Sequence, residues 1–269
     1  MEQFTSSKEI TPLFTGKKPM HVAVFMSGTG SIARKILEHA RRHNEYQVTM
    51  LFSDTKDREK CRAGEIAGEY KVAYECIDIL DFYASHGKSD KSDLTLRPEY
   101  DRAVRKILEK YSIDLIALAG YMSLLTRVVY GHYPVLNIHP ADLRVMENGR
   151  RKYAGPGGMV MRRVIKDGQK ETRSSVLLVN GEVDGGPLLA VSRPAPVSFD
   201  AEGLTKQQLA ERVMEHWNNV HKPICEWAFF PEVISMVAEK RFAADSKGNL
   251  YFDGSVLRHP AEVGNADGE

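Results

Sequence analysis

The stretch HVAVFMSGTGSIARKILEHA, residues 21–40, decides the fold class. After His21, residues 22–26 form an unbroken apolar run, as expected of a strand covered on both faces. SGTG follows, and then Ile32, Ile36, Leu37 and Ala40 recur at helical spacing while Arg34, Lys35, Glu38 and Arg41 take the other side. A strand that turns through glycines directly into an amphipathic helix is the opening of a βαβ unit. The pattern then repeats. VTMLFS (48–53), KVAYECI (71–77), IDLIALAG (113–120) and VLNIH (135–139) read as further strands, with helices expected over 57–69 and 98–111 between them. Two strand-like runs, 171–180 and 187–197, and helical stretches near 204–220 and 222–240 complete the body of the chain. Alternating strands and helices imply one α/β domain, a single doubly wound, mostly parallel sheet with helices on both faces. A small C-terminal hairpin is expected around Lys247-Gly248-Asn249. The domain is taken as 20–256, preceded by a flexible leader (1–19) and followed by a polar tail (257–269).

Composition narrows the function classes. The chain has 269 residues, 42% hydrophobic and 27% charged, and a net charge of +1, so no global field favours nucleic acid or an anionic membrane. Clusters such as Arg150-Arg151-Lys152 read as a solvated face or as contacts for an anionic substrate. Cys61, Cys76 and Cys225 are far apart with no C-x-x-C, which fits reduced thiols in the cytoplasm. His216 and His221 are five apart rather than four, so no metal site is expected there. The N-terminus has no apolar signal core, and no run approaches the eighteen apolar residues of a membrane span. The expectation is small-molecule substrates, with no nucleic acid and no membrane partner, in a monomer or homodimer.

Two motifs carry chemistry. Gly28-x-Gly30-x-x-Ala33 fits a turn that brings backbone N–H groups to a phosphate at a helix N-terminus. By itself it leaves three readings open. One is a dinucleotide site of an NAD-dependent oxidoreductase, with Asp54 as the ribose-binding acid. Another is a simple phosphate site. The last is a plain turn with Ser31 as helix N-cap. The second motif is VLNIHPADL (135–143). Asn137 and His139 share one face of an extended segment, and Pro140 ends it, placing both side chains where α/β folds keep their chemistry. The Asp184-Gly185 pair in GEVDGG is also a type I′ hairpin signal when taken alone.

Four stretches in this order, VFMSGTGS, LIALAGYMSLL, VLNIHPADL and SSVLLVNGEVDGGPLL, resemble the folate-dependent formyltransferase family, in particular its glycinamide ribonucleotide type. The likeness runs from about residue 21 to about 240. It implies a formyltransferase-type Rossmann-like domain in which 10-formyltetrahydrofolate, as co-substrate and without a metal, donates a formyl group to a primary amine in purine synthesis. Carried over by position, the catalytic Asn, His and Asp fall on Asn137, His139 and Asp184. The substrate-phosphate turn falls on Gly28, Thr29, Gly30 and Ser31, with Arg97 as a further phosphate ligand. The folate wall falls on Met122, Ser123, Leu124 and Leu125, closed over by Glu182, Val183, Gly185 and Gly186. The departures lie on the acceptor side. Residues 141–163 are longer and more basic than the family's loop, with Gly157-Gly158 where a His is expected. Ile32 stands for an Asn, and Asn218-Asn219 stand where an acid is expected. A different amine acceptor, or a folate- or nucleotide-binding module without catalysis, are therefore the other readings.

Overall fold

A computed structural model describes residues 10–263. Its main sheet has eight strands, β1 (Met20–Phe25), β2 (Tyr46–Ser53), β3 (Ala73–Cys76), β4 (Leu115–Leu118), β5 (Val135–His139), β6 (Ser175–Leu178), β7 (Leu188–Ser192) and β8 (Ala261–Val263). Their order across the sheet is β8-β7-β6-β5-β4-β1-β2-β3. β6 runs antiparallel to both β5 and β7, and every other neighbouring pair is parallel.

Strand alternation explains the two cores. Val22 and Val24 of β1 face one layer, formed by α1 (Ser31–Arg42), α2 (Ala63–Tyr70) and, further along the chain, α9 (Phe229–Ala238). Ala23 and Phe25 face the other, formed by α3 (Ile79–Ser85) and α4 (Arg97–Leu108) with Phe52, Tyr83 and Tyr100. With a helix layer on each face, β1 has no solvent side from Val22 on, which is why Val22–Phe25 is apolar. The chain winds outward from β1 through β2 to β3, then crosses back to β4 on the other side of β1. The direction of winding therefore reverses between β1 and β4, and a crevice opens there at the strands' carboxyl ends.

The ends of the chain depart from expectation. Residues 1–9 of the expected leader lie outside the described residues, but the rest is not loose. Ile10–Pro12 pairs antiparallel with Phe242–Asp245, and the buried ring of Phe14 joins the core layer of α1 and α9. The expected hairpin is present, Phe242–Asp245 against Leu250–Phe252, and belongs to a separate four-stranded sheet with Ile10–Pro12 and Ser255–Val256. The tail is likewise structured through Val263: Ala261–Val263 is β8, parallel to β7, while 264–269 lie outside the described residues.

Other differences are local. Gly30 in the left-handed region, not Ser31, is the N-cap of α1, and Ser31 is its first helical residue. The helix expected over 57–69 begins only at Ala63. The run 171–180 is cut into Glu171–Thr172 and β6. The run 187–197 is cut near Pro194 into β7 and Ala195–Pro196, which pairs back on Glu171–Thr172. The expectation of helices near 204–220 and 222–240 resolves into α7 (Lys206–His216), a five-residue π-helix (Trp217–His221), α8 (Lys222–Cys225) and α9. Three helices went unread, α3, α5 (Arg127–Tyr130) and α6 (Gly157–Lys166). Among the described residues no helix is long and apolar enough to cross a membrane.

If the first strand and Phe14 are part of the fold, Phe14→Ala lowers unfolding free energy by about 3–5 kcal/mol in urea titration, whereas a loose leader predicts no change.

Candidate active site

A cleft of about 680 Å³ occupies the crevice where the winding reverses, and its size suits a medium-sized organic ligand. The turn after β1, the segment after β4, the end of β5 and the loop between β6 and β7 all contribute to its wall.

At its centre Asn137, His139 and Asp184 converge. β5 places Asn137 and His139 two residues apart on the same face, and the loop after β6 brings Asp184 over them. The Asn137 amide donates to Asp184 Oδ1 at 3.3 Å, and His139 Nδ1 lies 3.4 Å from Oδ2. The Gly155 N–H donates to the same Oδ2 at 2.9 Å. His139 is 3% exposed, and its Nε2 is 2.7 Å from the Tyr153 carbonyl oxygen, which can only accept. Both ring nitrogens therefore face acceptors, and a ring carrying a proton on each satisfies both. Burial pushes the Asp184 carboxyl up, but the His139 contact and charge, the Gly155 N–H and the nearby Arg151 outweigh it. The group ends below its ordinary value. Asp184 itself sits in the left-handed region, φ 50°.

The basic loop holds this carboxylate in place. Arg151 donates to the backbone carbonyls of Asp184 and Gly186, the latter at 2.8 Å. Lys152 pairs with Glu147 and Asp167. These charges serve the fold of the loop rather than an anionic substrate.

Gly28, Thr29, Gly30 and Ser31 line the cleft at the start of α1. Gly30 has φ 77°, and a Cβ there would come within 2.4 Å of Ile66 Cδ1. No side chain caps the helix, so its first N–H groups are available to an anion. Asp54 takes no part in binding a ribose. It is 3% exposed, its Oδ1 accepts from the Ser27 hydroxyl at 2.6 Å and its Oδ2 from the Ser123 hydroxyl. Ser27 in turn accepts the Met122 N–H at 2.9 Å. One buried carboxylate thus ties the glycine turn to the segment after β4, and the dinucleotide reading loses its acid.

Along that segment Met122 and Leu124 are exposed on the wall, while Leu125 is buried in the core layer of α4. Ser123 turns its hydroxyl inward to Asp54. Glu182 and Val183 line the opposite side. Gly186 is obligatory, because a Cβ would fall 1.7 Å from the Leu178 carbonyl oxygen.

Arg97 is neither a surface residue nor a neighbour of the glycine turn in the packing. It is buried at the start of α4, on the opposite sheet face from α1, over the rings of Tyr83 and Tyr100. One Nη donates to the Lys91 carbonyl at 3.1 Å, whereas Nε and the other Nη have no partner among the described residues. It lines the cleft on the side of the 122–125 wall.

Sequence reading missed Trp217, Lys222 and Glu226, which also line the cleft, while Asn218 and Asn219 are exposed. The π-helix that sets this arrangement has no signature in hydrophobic periodicity. If Asp184 depends on the backbone path after β6, Gly186→Ala abolishes turnover and lowers the melting temperature together. Retention of both, read by thermal unfolding and assay, excludes the dependence.

The formyl transferase family pattern matches residues 20–221. A phosphoribosylglycinamide formyltransferase of Escherichia coli (strain K12) is 28% identical over 244 residues, covering 88% of this chain and 96% of that protein. One from Mycobacterium tuberculosis is 30% identical over 197 residues, covering 72% and 78%. Among solved structures, a phosphoribosylglycinamide formyltransferase from Coxiella burnetii superposes with a TM-score of 0.69 over 91% of this chain and 100% of its own, at 22% identity, a likeness of fold. On the matched family pattern, and with these relatives aligned over most of its length, the chain belongs to the formyl transferase family.

Proposed function

We propose that this chain transfers the formyl group of 10-formyltetrahydrofolate to the primary amine of glycinamide ribonucleotide. The observation that carries the reading is the convergence of Asn137, His139 and Asp184 within 3.4 Å contacts at the centre of the cleft. Family membership and the relatives' activity support it.

The amine nitrogen attacks the formyl carbon, forming a C–N bond and an oxyanion. Asn137 Nδ2 has a second hydrogen beyond the one given to Asp184, and His139 Nδ1–H has only a long contact to leave. Both are donors for that oxygen. The ionised Asp184 accepts a proton from the attacking nitrogen, directly or through water, and returns it to N10 of the folate as the C–N10 bond breaks. Every proton and electron pair is accounted for without a metal or a covalent enzyme intermediate. Cys61 and Cys225 are buried, with thiols pushed up chiefly by burial, the latter to about 11, so neither is an activated nucleophile.

The phosphate of the acceptor sits on the N–H groups of Gly28–Ser31, and the pterin lies along Met122–Leu125 beneath Glu182–Gly186. Arg97, with two unpaired N–H positions, takes an anionic group on the donor side of the cleft. The unpaired cysteines fit a reducing compartment, which we take as the cytoplasm.

Purified protein assayed with 10-formyltetrahydrofolate against a panel of amines should formylate glycinamide ribonucleotide best; preference for another amine overturns the acceptor assignment. Asn137→Ala and His139→Ala should each lower kcat by about 10²–10³-fold with the fold intact by circular dichroism, and near-normal turnover removes them from the mechanism. Asp184 titrates below its ordinary 3.8 in the folded protein, so it is charged throughout neutral and mildly acidic conditions. Its contribution to stability is present above the unfolded value and is lost only as pH falls through the folded one. Asp184→Asn should therefore depress kcat at every pH from about 5 to 9 without shifting the profile's acid limb. A defect confined to one end of that range contradicts the role.

A further inference from the structure

The long loop after β5 folds into a hairpin that ends on the catalytic pair. Met146–Glu147 pairs antiparallel with Arg150–Arg151. Asn148 and Gly149 between them have φ of 51° and 75°, the positive values that a two-residue type I′ turn requires. From Arg151 onward, every second residue touches a catalytic group. Arg151 donates to the main-chain carbonyls of Asp184 and Gly186. The Tyr153 carbonyl lies 2.7 Å from His139 Nε2, and the Gly155 N–H donates to Asp184 Oδ2 at 2.9 Å.

Other contacts fasten the hairpin to α6. Lys152 Nζ lies 2.8 Å from Asp167 and 3.4 Å from Glu147, Arg163 reaches Glu147 at 3.2 Å, and the Tyr153 hydroxyl donates to Asp167 at 3.1 Å. Arg151 differs from these surface pairs. It is partly buried, and its hydrogen bonds go to neutral carbonyls rather than to a carboxylate. Burial pulls its guanidinium below the ordinary value, against the opposing charges of Asp184 and Glu182. Placing a cation there is costly. What it supplies in return is a planar fork with separate N–H groups, one for each carbonyl, so both ends of the 184–186 segment are held at once. That segment needs holding. Asp184 has a left-handed backbone at φ 50°, and Gly186 lies so close to the Leu178 carbonyl that no side chain fits.

We propose that Arg151 is a positioning residue for formyl transfer, which keeps the Asp184 carboxylate aimed at the reacting nitrogen by gripping the main chain on either side of it. The proposal rests on the formyl-transfer reading given above and on Asp184 as its proton carrier. Arg151 does not line the cleft, so its effect on the reaction runs through Asp184. The basic loop thereby takes part in the chemistry without a cation of its hairpin meeting substrate.

The test is a double-mutant cycle on the full chain, with wild type, R151M, D184N and R151M/D184N assayed with 10-formyltetrahydrofolate and glycinamide ribonucleotide. Single-turnover rates at high enzyme concentration extend the range to slow variants. R151M should lower the rate by about 10–10²-fold, because a misplaced catalytic group loses that much, while KM for the amine stays within about threefold. Circular dichroism and thermal melting should show the fold retained. In the D184N background the same substitution should change the rate by less than about twofold, since no carboxylate is left to aim. A merely structural role predicts the opposite, the full R151M loss repeated on top of D184N, and that result overturns the proposal. So does a folded R151M with a rate within twofold of wild type. Should R151M fail to fold, R151K decides in its place. Its single ammonium lacks the planar fork, so a lowered rate at unchanged amine KM is expected, and a wild-type rate overturns the proposal equally. A wild type that formylates no glycinamide ribonucleotide fails the earlier reading and this one with it. A wild type that does, beside an indifferent R151M, fails this one alone.

Discussion

The structure turns on a carboxylate held ionised where little water reaches it. Asp184 lies on a loop, not on a rigid element, and in an unusual backbone conformation. What keeps it there is a set of donors that meet only in the folded chain: an amide and an imidazole from one strand, a backbone N–H from the loop before α6, and a guanidinium bracing the main chain on either side. Remove the negative charge and these donors face one another without an acceptor. The loop over the cleft, the ring of His139 and the path of residues 145–155 are therefore one interlocked unit.

A second buried acid does the same for substrate placement. Asp54 receives hydroxyls from both sides of the crevice, so the glycine turn and the apolar wall are registered to a common point rather than to each other through solvent. A two-substrate reaction needs its partners aligned to within a fraction of an ångström before chemistry begins. A carboxylate sealed beneath the turn and the wall fixes the two relative to each other without itself lining the cleft.

Much of this was legible before any coordinates. Unbroken apolar runs identified the doubly covered strands, and period-two spacing put Asn137 and His139 on one face. The glycine turn announced a helix start. What was hidden depended on distant partners. Three-residue strands such as Ile10–Pro12 and Ala261–Val263 have too few positions for a pattern and exist because an edge was waiting for them. Arg151 resembled a substrate-facing cation because nothing local reveals that its partners are backbone carbonyls more than thirty residues away. Sequence order does not say on which sheet face a helix packs, so the separation of Arg97 from α1 by the sheet was hidden. The π-helix shifted the facing of every residue after it, so Trp217, Lys222 and Glu226 on the cleft wall went unread.

The strand at Ala261–Val263 has a practical consequence. By pairing with Leu188–Ser192 it covers the outer rim of the main sheet on that side. A chain shortened before residue 261 would keep every group of the cleft, yet present the ladder at Ala190, Val191 and Ser192 to its neighbours. Its characteristic fault would be strand-to-strand sticking between molecules, not loss of chemistry.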